Sequence, residues 1–284
     1  IRSDGLEHIM AVEIRRSAAG QAMPRETVAL PVEAFGHSDK TTVYWLGNAG
    51  FLLNSRGTTI MCDPLLVGFD MPTLVEPPIL PEDVPAFDAL LYTHIDNDHF
   101  ARETLAGLKD KAGEVHATHY VAQVARDEES VSGTTGHGIG DQFQVGCISV
   151  TLTPAWHNWQ EHMTSEKYSH RTWERREYCG YWFDTPDGSI WLPSDSRPLP
   201  EFLEWETAPD MMLFDFADNI WHIGFAGAVE LANHYPESEL LLIHWGCVDA
   251  PTYTPFNGDP ERLEDAVKNP ERVHALALGE GLAL

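Results

Sequence analysis

The stretch that decides the fold reads His94-Ile95-Asp96-Asn97-Asp98-His99. Four of its six side chains are imidazoles or carboxylates, the donors that zinc, manganese and iron accept in proteins. Because alternate side chains of a loop splay apart, His94 and Asp96 are predicted to face one metal, and Asp98 and His99 a second. The alternative is a polar loop that caps the following helix, with Asp98 near its N-cap.

The residues on either side predict that this stretch lies in a strand-to-helix loop. Residues 87–92 form a short apolar run typical of a buried strand, and residues 101–109 place Leu105 and Leu108 at helical spacing. Loops at strand ends are where α/β enzymes commonly hold ligands. The setting therefore favours a binding loop.

Further strands and one helix are predicted from β-rich runs, turn residues and apolar periodicity. The predicted strands are 41–53, 58–62, 142–145, 148–153, 178–184, 189–192, 211–216 and 240–243, and the predicted helix is 227–234. We interpret residues 1–40 as a polar lead-in, of which 1–9 are an expression leader before a native start at Met10. Residues 41–284 are predicted to form a single domain.

Three distant residues complete the candidate metal site. His157, Asp195 and His244 each follow a separate apolar strand. A single histidine in such a place is more often a hydrogen-bonded core residue. Three in this order indicate a shared site, and the two oxygens of an Asp195 carboxylate suit a ligand that bridges two metals.

The order H-x-D-x-D-H, His157, Asp195, His244 resembles the metallo-β-lactamase superfamily pattern H-x-H-x-D-H, His, Asp, His. Residues 45–53 (WLGNAGFLL), 62–64 (CDP), 153–157 (TPAWH) and 243–246 (IHWG) look like the branch of ascorbate-6-phosphate lactonases and N-acylphosphatidylethanolamine phospholipase D. The resemblance spans about residues 41–245. It implies an α/β fold, a four-layer αββα sandwich with metals at the strand edges.

The resemblance also implies a ligand set. One metal would be held by His94, Asp96 and His157, the other by Asp98, His99 and His244, with Asp195 between them and Asp63 orienting a ligand from outside. Asp96 stands where the family has histidine, and its harder oxygen favours manganese or iron relative to a standard zinc site. We therefore expect two divalent metal ions per chain, zinc first, with manganese or iron as alternatives. Asn48 replaces a residue that is often histidine in the branch.

The expected activity is hydrolysis of a phosphodiester, lactone or related ester by a hydroxide that bridges the metals. Asp98 would also orient that hydroxide. His222 matches a histidine that the phospholipase branch places beside the metals, and it would protonate the leaving group; the alternative is a surface histidine near a helix. Two other functions stay open: a di-iron oxygen or redox enzyme on the same fold, and a non-catalytic metal-binding member.

Residues 158–178 form a long polar and aromatic segment, which predicts a lid or binding loop beside the site. Trp159, Trp221 and Arg197 are the predicted substrate contacts. The segment also contains a group of arginines, which suit phosphate or carboxylate. For most of them, pairing with neighbouring glutamates is the favoured interpretation.

The charge balance limits the partners. The chain has 44 acidic and 18 basic residues, a formal net charge of −26, which disfavours nucleic acid and anionic membranes. No apolar run approaches the roughly 18 residues of a membrane span, and the four cysteines form no C-x-x-C pair. We expect a soluble cytoplasmic enzyme that acts on a small molecule, with homo-oligomer formation left open.

Overall fold

The computed structural model describes residues 14–162 and 171–284. Its strands are β1 (Arg15–Arg16), β2 (Ala22–Met23), β3 (Thr41–Gly47), β4 (Gly50–Ser55), β5 (Thr58–Cys62), β6 (Phe87–Tyr92), β7 (Ala112–Thr118), β8 (Thr134–His137), β9 (Gln142–Val145), β10 (Ile148–Pro154), β11 (Cys179–Thr185), β12 (Gly188–Leu192), β13 (Met211–Phe214), β14 (Glu239–Leu242), β15 (Val273–His274) and β16 (Gly281–Ala283). Its α-helices are α1 (Arg102–Leu108), α2 (His119–Asp127), α3 (Gly224–His234) and α4 (Pro260–Glu264). Single 3-10 turns occur at Val32–Phe35, Trp159–His162, Arg175–Glu177, Pro200–Leu203, Thr254–Phe256 and Pro270–Arg272.

Two mixed sheets carry the fold. The first has the order β16-β3-β4-β5-β6-β7-β8 and the second β15-β14-β13-β12-β11-β10-β9. In each sheet an antiparallel half continues into a parallel half, from β5 to β8 and from β12 to β15. Parallel neighbours need crossover connections, which α1, α2 and α3 supply.

Side-chain alternation on the strands builds the layers. Phe51 of β4 points between the sheets and meets Phe183 of β11 edge-on at 6.0 Å. Its neighbour Leu52 points the other way and packs with the cluster that includes Leu105 of α1 and Val121 of α2. Each sheet therefore buries both of its faces, and the predicted αββα sandwich is confirmed.

Several boundaries differ from the prediction. The run 41–53 is two strands, because Gly47 and Asn48 take positive φ angles of 104° and 45° and reverse the chain. The predicted hairpin after it is confirmed, with Arg56 and Gly57 both at positive φ. The strand predicted at 211–216 ends at Phe214, and β7, α2 and β8 were not predicted.

The ends of the chain add contacts to the first sheet but do not test the predicted domain division, which stays a prediction. β16 near the C-terminus pairs antiparallel with β3. The proposed leader, residues 1–9, lies outside the described residues, as do residues 163–170 of the predicted lid. Among the helices that the structure describes, none has the length and apolar character to cross a membrane.

Candidate metal centre

The ends of four strands meet at one edge of the sandwich. His94 and His99 follow β6, His157 follows β10, Asp195 follows β12 and His244 follows β14. All five side chains are buried. Burial of so many ionisable groups in one place is costly unless they pair or bind a cation, so the arrangement indicates a site.

The described residues contain three groups of possible metal ligands: Asp215, His222 and His244 form one, and the other two share Asp195. One group is Asp98, His99, Asp195 and His244, the other is His94, His157 and Asp195, and the atoms within each group lie within 4.8 Å of one another. Asp195 Oδ2 is 3.2 Å from His99 Nε2 and 3.3 Å from His244 Nε2. The structure thus brings together the residues predicted for two metals, with Asp195 between them.

Two buried imidazole nitrogens test whether a metal fits. Among the described residues, the Nε2 atoms of His94 and His99 make no hydrogen bond of acceptable geometry, although carboxylate oxygens lie 3.3 Å and 3.2 Å from them. Buried polar atoms are normally satisfied, and an imidazole lone pair that faces carboxylates is a ligand for a divalent cation. The donor set therefore fits the metal ions that the sequence predicts.

Asp96, the unusual member of the motif, lies beside the first group. Its Oδ2 is 3.3 Å from both His94 Nε2 and His157 Nε2. Trp159 Nε1 donates to Oδ2 at 2.6 Å and Gln160 Nε2 to Oδ1 at 2.7 Å. Trp159, predicted as a substrate contact, therefore holds this carboxylate in place.

The second nitrogen of each ligand imidazole is also held. His99 Nδ1 lies 2.8 Å from Asp63 Oδ2, His94 Nδ1 2.9 Å from Thr93 Oγ1, His157 Nδ1 2.9 Å from the Trp221 carbonyl and His244 Nδ1 3.2 Å from the Pro255 carbonyl. Asp63 also accepts the Thr93 amide and hydroxyl. Such outer contacts fix ring orientation and leave Nε2 for the metal. Asp63 lies where the sequence predicted it.

The electrostatics of the centre favour positive charge. Burial opposes a charged His244, but the Asp195 and Asp98 carboxylates outweigh it and raise its pKa to about 9. His99 behaves alike: burial lowers its pKa, and the nearby carboxylates, Asp195 first, raise it well above the usual value. Burial would raise the pKa of Asp195, yet the surrounding imidazoles hold it well below its usual range. The pocket is built to stabilise a cation.

His222 is buried at the site, so its interpretation as a surface histidine is wrong. Its Nδ1 donates to Asp215 Oδ2 at 2.6 Å, and its Nε2 lies 3.7 Å from Asp195 Oδ2. Asp215 was missed by the sequence analysis, although it follows the apolar strand β13 just as Asp195 follows β12. The same signal, a lone acid after an apolar strand, identifies it.

A cavity of about 400 Å³ opens onto the centre. Trp159 and Trp221 line it, as predicted for substrate contacts, but Arg197 is not among its lining residues. The Arg197 guanidinium instead reaches His162, with 3.5 Å between Nη2 and Nε2. Arg197 therefore does not line the cavity as predicted.

The arginines of the predicted lid pair with glutamates. Arg171 contacts Glu177, Arg175 lies 2.7 Å from Glu201, and Arg176 lies 2.6 Å from Glu174. The predicted pairing with neighbouring glutamates is confirmed for Arg171 and Arg176, whereas Arg175 pairs with Glu201, outside the segment. Lys167 and His170 lie outside the described residues.

Four residues at the strand ends around the centre have a left-handed backbone. Asn48, Asp63, Ser194 and His244 have φ angles of 45°, 44°, 62° and 60°. Asn48 uses this turn to place its Nδ2 at 3.2 Å from Asp98 Oδ2, while its carbonyl accepts the His244 amide. Strained backbone of this kind concentrates at functional sites.

Comparisons with known proteins identify the family to which this fold belongs. The profile of the family described as "Beta-lactamase superfamily domain" matches residues 58–245. A UPF0173 metal-dependent hydrolase of Archaeoglobus fulgidus is 25% identical over 231 residues, 80% of this chain and 90% of the relative. A second such hydrolase, from Methanopyrus kandleri, is 25% identical over 80% of this chain and 91% of the relative.

Solved structures share the fold at lower identity. Isothiocyanate hydrolase from Delia radicum gut bacteria superposes with a TM-score of 0.65 and 16% identity, covering 86% of this chain and 99% of that one. CmlA, a diiron β-hydroxylase from Streptomyces venezuelae, superposes with a TM-score of 0.64 and 17% identity, covering 87% of this chain and 55% of that one. Both relatives are named as metal-dependent hydrolases. Because the family profile matches residues 58–245, more than half of the chain, this protein belongs to the beta-lactamase superfamily.

Proposed function

We propose that this protein binds two divalent metal ions and hydrolyses a phosphodiester, a lactone or a related ester. The observation that carries the proposal is the place of Asp195, which belongs to two of the three groups of possible metal ligands. One carboxylate with two oxygens, set between two sets of imidazoles, is the arrangement that a pair of metals needs. The Nε2 atoms of His94 and His99, which make no hydrogen bond of acceptable geometry among the described residues, support it.

The proposed ligands divide between the two ions. His94, Asp96 and His157 would hold one ion, Asp98, His99 and His244 the other, and Asp195 both. Zinc is the expected metal, and the oxygen ligand Asp96 makes manganese or iron the alternatives. When bound, such ions lower the pKa of a coordinated water toward neutrality and stabilise negative charge on the substrate.

The chain's own residues orient water and move the proton. Asp98 Oδ2 lies 3.2 Å from His244 Nε2, and its position is fixed by the Asn48 amide, so this carboxylate orients the attacking water. His222 Nε2 faces the centre and carries the proton for the leaving group. Asp215 holds Nδ1 and stabilises the charged ring, as the carboxylate does in other acid–base pairs.

A second candidate keeps the fold and uses two iron ions for oxygen or redox chemistry. Asp96 favours it, because an added carboxylate suits iron better than an all-histidine set does. Metal analysis with an optical spectrum separates the two proposals: bound iron with a charge-transfer band supports this one, and colourless zinc or manganese protein supports the hydrolase.

The test is metal content together with hydrolysis. Protein loaded with zinc, manganese or iron should hold two ions per chain and cleave esters or phosphodiesters, and chelation should abolish this. His222→Gln should keep both ions and lower kcat by about 10²–10⁴-fold, the usual contribution of general acid catalysis. His234→Gln, an exposed histidine at the end of α3, is the matched control and should change neither.

Two outcomes would contradict the proposal. Metal-loaded protein that cleaves nothing on a broad panel of esters and phosphodiesters would favour the non-catalytic member. Full activity in a protein that holds a single ion would remove the two-metal mechanism.

A further inference from the structure

Half of the residues that line the cavity at the metal centre are apolar or aromatic. Phe69, Met71, Trp159, Trp173, Trp221 and Tyr253 are among its lining residues. A volume of about 400 Å³ is enough for a small organic molecule, and walls of this kind bind by burying apolar surface. The cavity is therefore shaped for an aromatic or aliphatic group beside the reacting bond.

Apolar side chains are also exposed at the mouth of the cavity. Tyr253 stands at the cavity with 47% of its surface exposed, and Ile220, between the lining residues Asn219 and Trp221, is 74% exposed. These are two of the few large apolar side chains that the described part of the chain leaves open to solvent. Exposed apolar groups that continue a pocket mark a binding surface.

The charged lining argues against an anionic substrate. Four carboxylates line the cavity, those of Asp70, Asp96, Asp98 and Asp195. Two divalent cations would balance these four charges and leave no surplus for a phosphate. The chain as a whole, at −26, adds a repulsive field for any anion that approaches.

Among the described lining residues, the basic side chain is that of Arg102, and it is already paired. Its guanidinium contacts Glu129 and lies 3.1 Å from Glu128. Sites that recognise phosphate or carboxylate usually present a free arginine fork or lysine. Arg171 and Arg175 pair with glutamates as well, and Arg197, whose guanidinium approaches His162, is not among the lining residues. In the described residues, therefore, no free arginine fork lines this cavity.

We infer that the substrate is a neutral ester or lactone with an aromatic or aliphatic group, and that phosphodiesters are discriminated against. The inference rests on the proposed hydrolase function and narrows it. The apolar walls bind the organic group, the metal side presents the reacting carbonyl, and the acidic lining repels anions. In the reaction, the oxygen of water forms a bond to the acyl carbon and the bond from that carbon to the alcohol oxygen breaks, which gives a carboxylate, an alcohol and one proton.

The first test compares kcat/KM of metal-loaded protein for p-nitrophenyl butyrate and for bis(p-nitrophenyl) phosphate, with Asp70→Lys as the variant. Asp70 is exposed at the cavity, and reversing its charge should raise the phosphodiester-to-ester ratio by about tenfold. Asp110→Lys is the matched control, because Asp110 is an exposed acid just before β7, whose other end approaches the site. The control should leave the ratio unchanged.

The second test does not depend on turnover. Tryptophan fluorescence of the loaded protein is titrated with 4-phenyl-2-butanone and with 2-phenylethylphosphonate, which share a phenethyl group and differ in charge. The neutral ketone should bind at least about tenfold more tightly. The three tryptophans that line the cavity supply the signal.

The outcomes separate the two proposals. A wild-type preference for the phosphodiester, or tighter binding of the phosphonate, overturns the neutral-substrate inference and leaves the hydrolase standing. Hydrolysis of neither substrate counts against the hydrolase, while the fluorescence titration still decides which ligand the cavity takes.

Discussion

In the described part of the chain, two places bring buried histidine rings into contact, and they differ in what surrounds them. At the metal centre, the rings of His99 and His244 lie 5.4 Å apart with Asp195 and Asp98 beside them. We call the other place the edge pair: His116 of β7 and His137 of β8, at the edge of the first sheet. Their rings are joined by a 2.9 Å contact between Nδ1 and Nε2.

The edge pair packs against an aromatic ring, and the acid that contacts it, Glu114 at 2.9 Å from His116 Nε2, has an exposed side chain. Phe143 stacks on His116 at 4.2 Å and on His137 at 4.5 Å. Burial lowers the pKa of both histidines, and His116 lowers that of His137 further. At the metal centre the pKa of His99 and His244 is raised instead. Buried carboxylates, and not histidines alone, therefore make a cation site.

The largest effect is expected when the shared carboxylate is removed. Asp195→Ala leaves the imidazoles of both groups without their common acid, so it should lose metal and reduce kcat/KM by more than about 100-fold. Metal content by mass spectrometry and steady-state kinetics measure this. Asp110→Ala is the control for loss of an acid, and retention of two ions in Asp195→Ala would contradict the assignment.

A smaller effect is expected at the contact that holds Asp96. Trp159→Phe keeps an aromatic ring and removes the N–H that donates to Asp96 Oδ2 at 2.6 Å. The affinity of the ion held by His94 and His157 should fall by about tenfold, measured by chelator competition, while the other ion stays bound.

Trp221→Phe is the matched control for that variant. Trp221 also lines the cavity, but its indole nitrogen has no hydrogen-bond partner within the described residues. Replacement of Trp221 should leave the affinities for both metal ions unchanged. Equal metal affinities in Trp159→Phe and Trp221→Phe would show that the hydrogen bond from the Trp159 indole does not position Asp96.

The smallest effect is the pH dependence of the edge pair. The native pKa of both histidines is below the unfolded value of about 6.5, so protonation favours the unfolded chain. Their contribution to stability is complete above about pH 6.5 and is lost as the pH falls through the lowered native pKa. We expect less than about 1 kcal/mol, because the contact between His116 Nε2 and Glu114 Oε2 at 2.9 Å opposes the effect of burial on the pKa of His116.

His137→Phe tests this by removing one titrating ring while keeping an aromatic contact with Phe143. The variant's free energy of unfolding, from urea titrations between pH 7 and pH 5, should change less with pH than that of the wild type. Chelated protein is used for both, so that acid-induced metal loss at the centre does not contribute. Parallel curves would contradict the prediction.

The sequence predicts the sandwich and the ligand positions because both depend on local pattern. Apolar strands that end in a lone histidine or acid, as before His157 and Asp195, specify which residues reach the sheet edge. Bonds between loops leave no such pattern: the Trp159 indole reaches Asp96 across 63 positions of the chain. β7 was missed because Gly113, Glu114 and His116 interrupt its apolar alternation, although the sheet buries its second half.

At the left-handed residues around the metal centre, protein stability and the positioning of the metal ligands favour different side chains. Each non-glycine residue in this conformation costs about 1–2 kcal/mol, which glycine at the same position would largely recover. A selection that acted on this backbone strain alone would therefore favour glycine at Asn48 or Asp63. Each such gain would remove the amide that fixes Asp98 or the carboxylate that orients His99. Substitutions that relieve this backbone strain would therefore impair the metal centre.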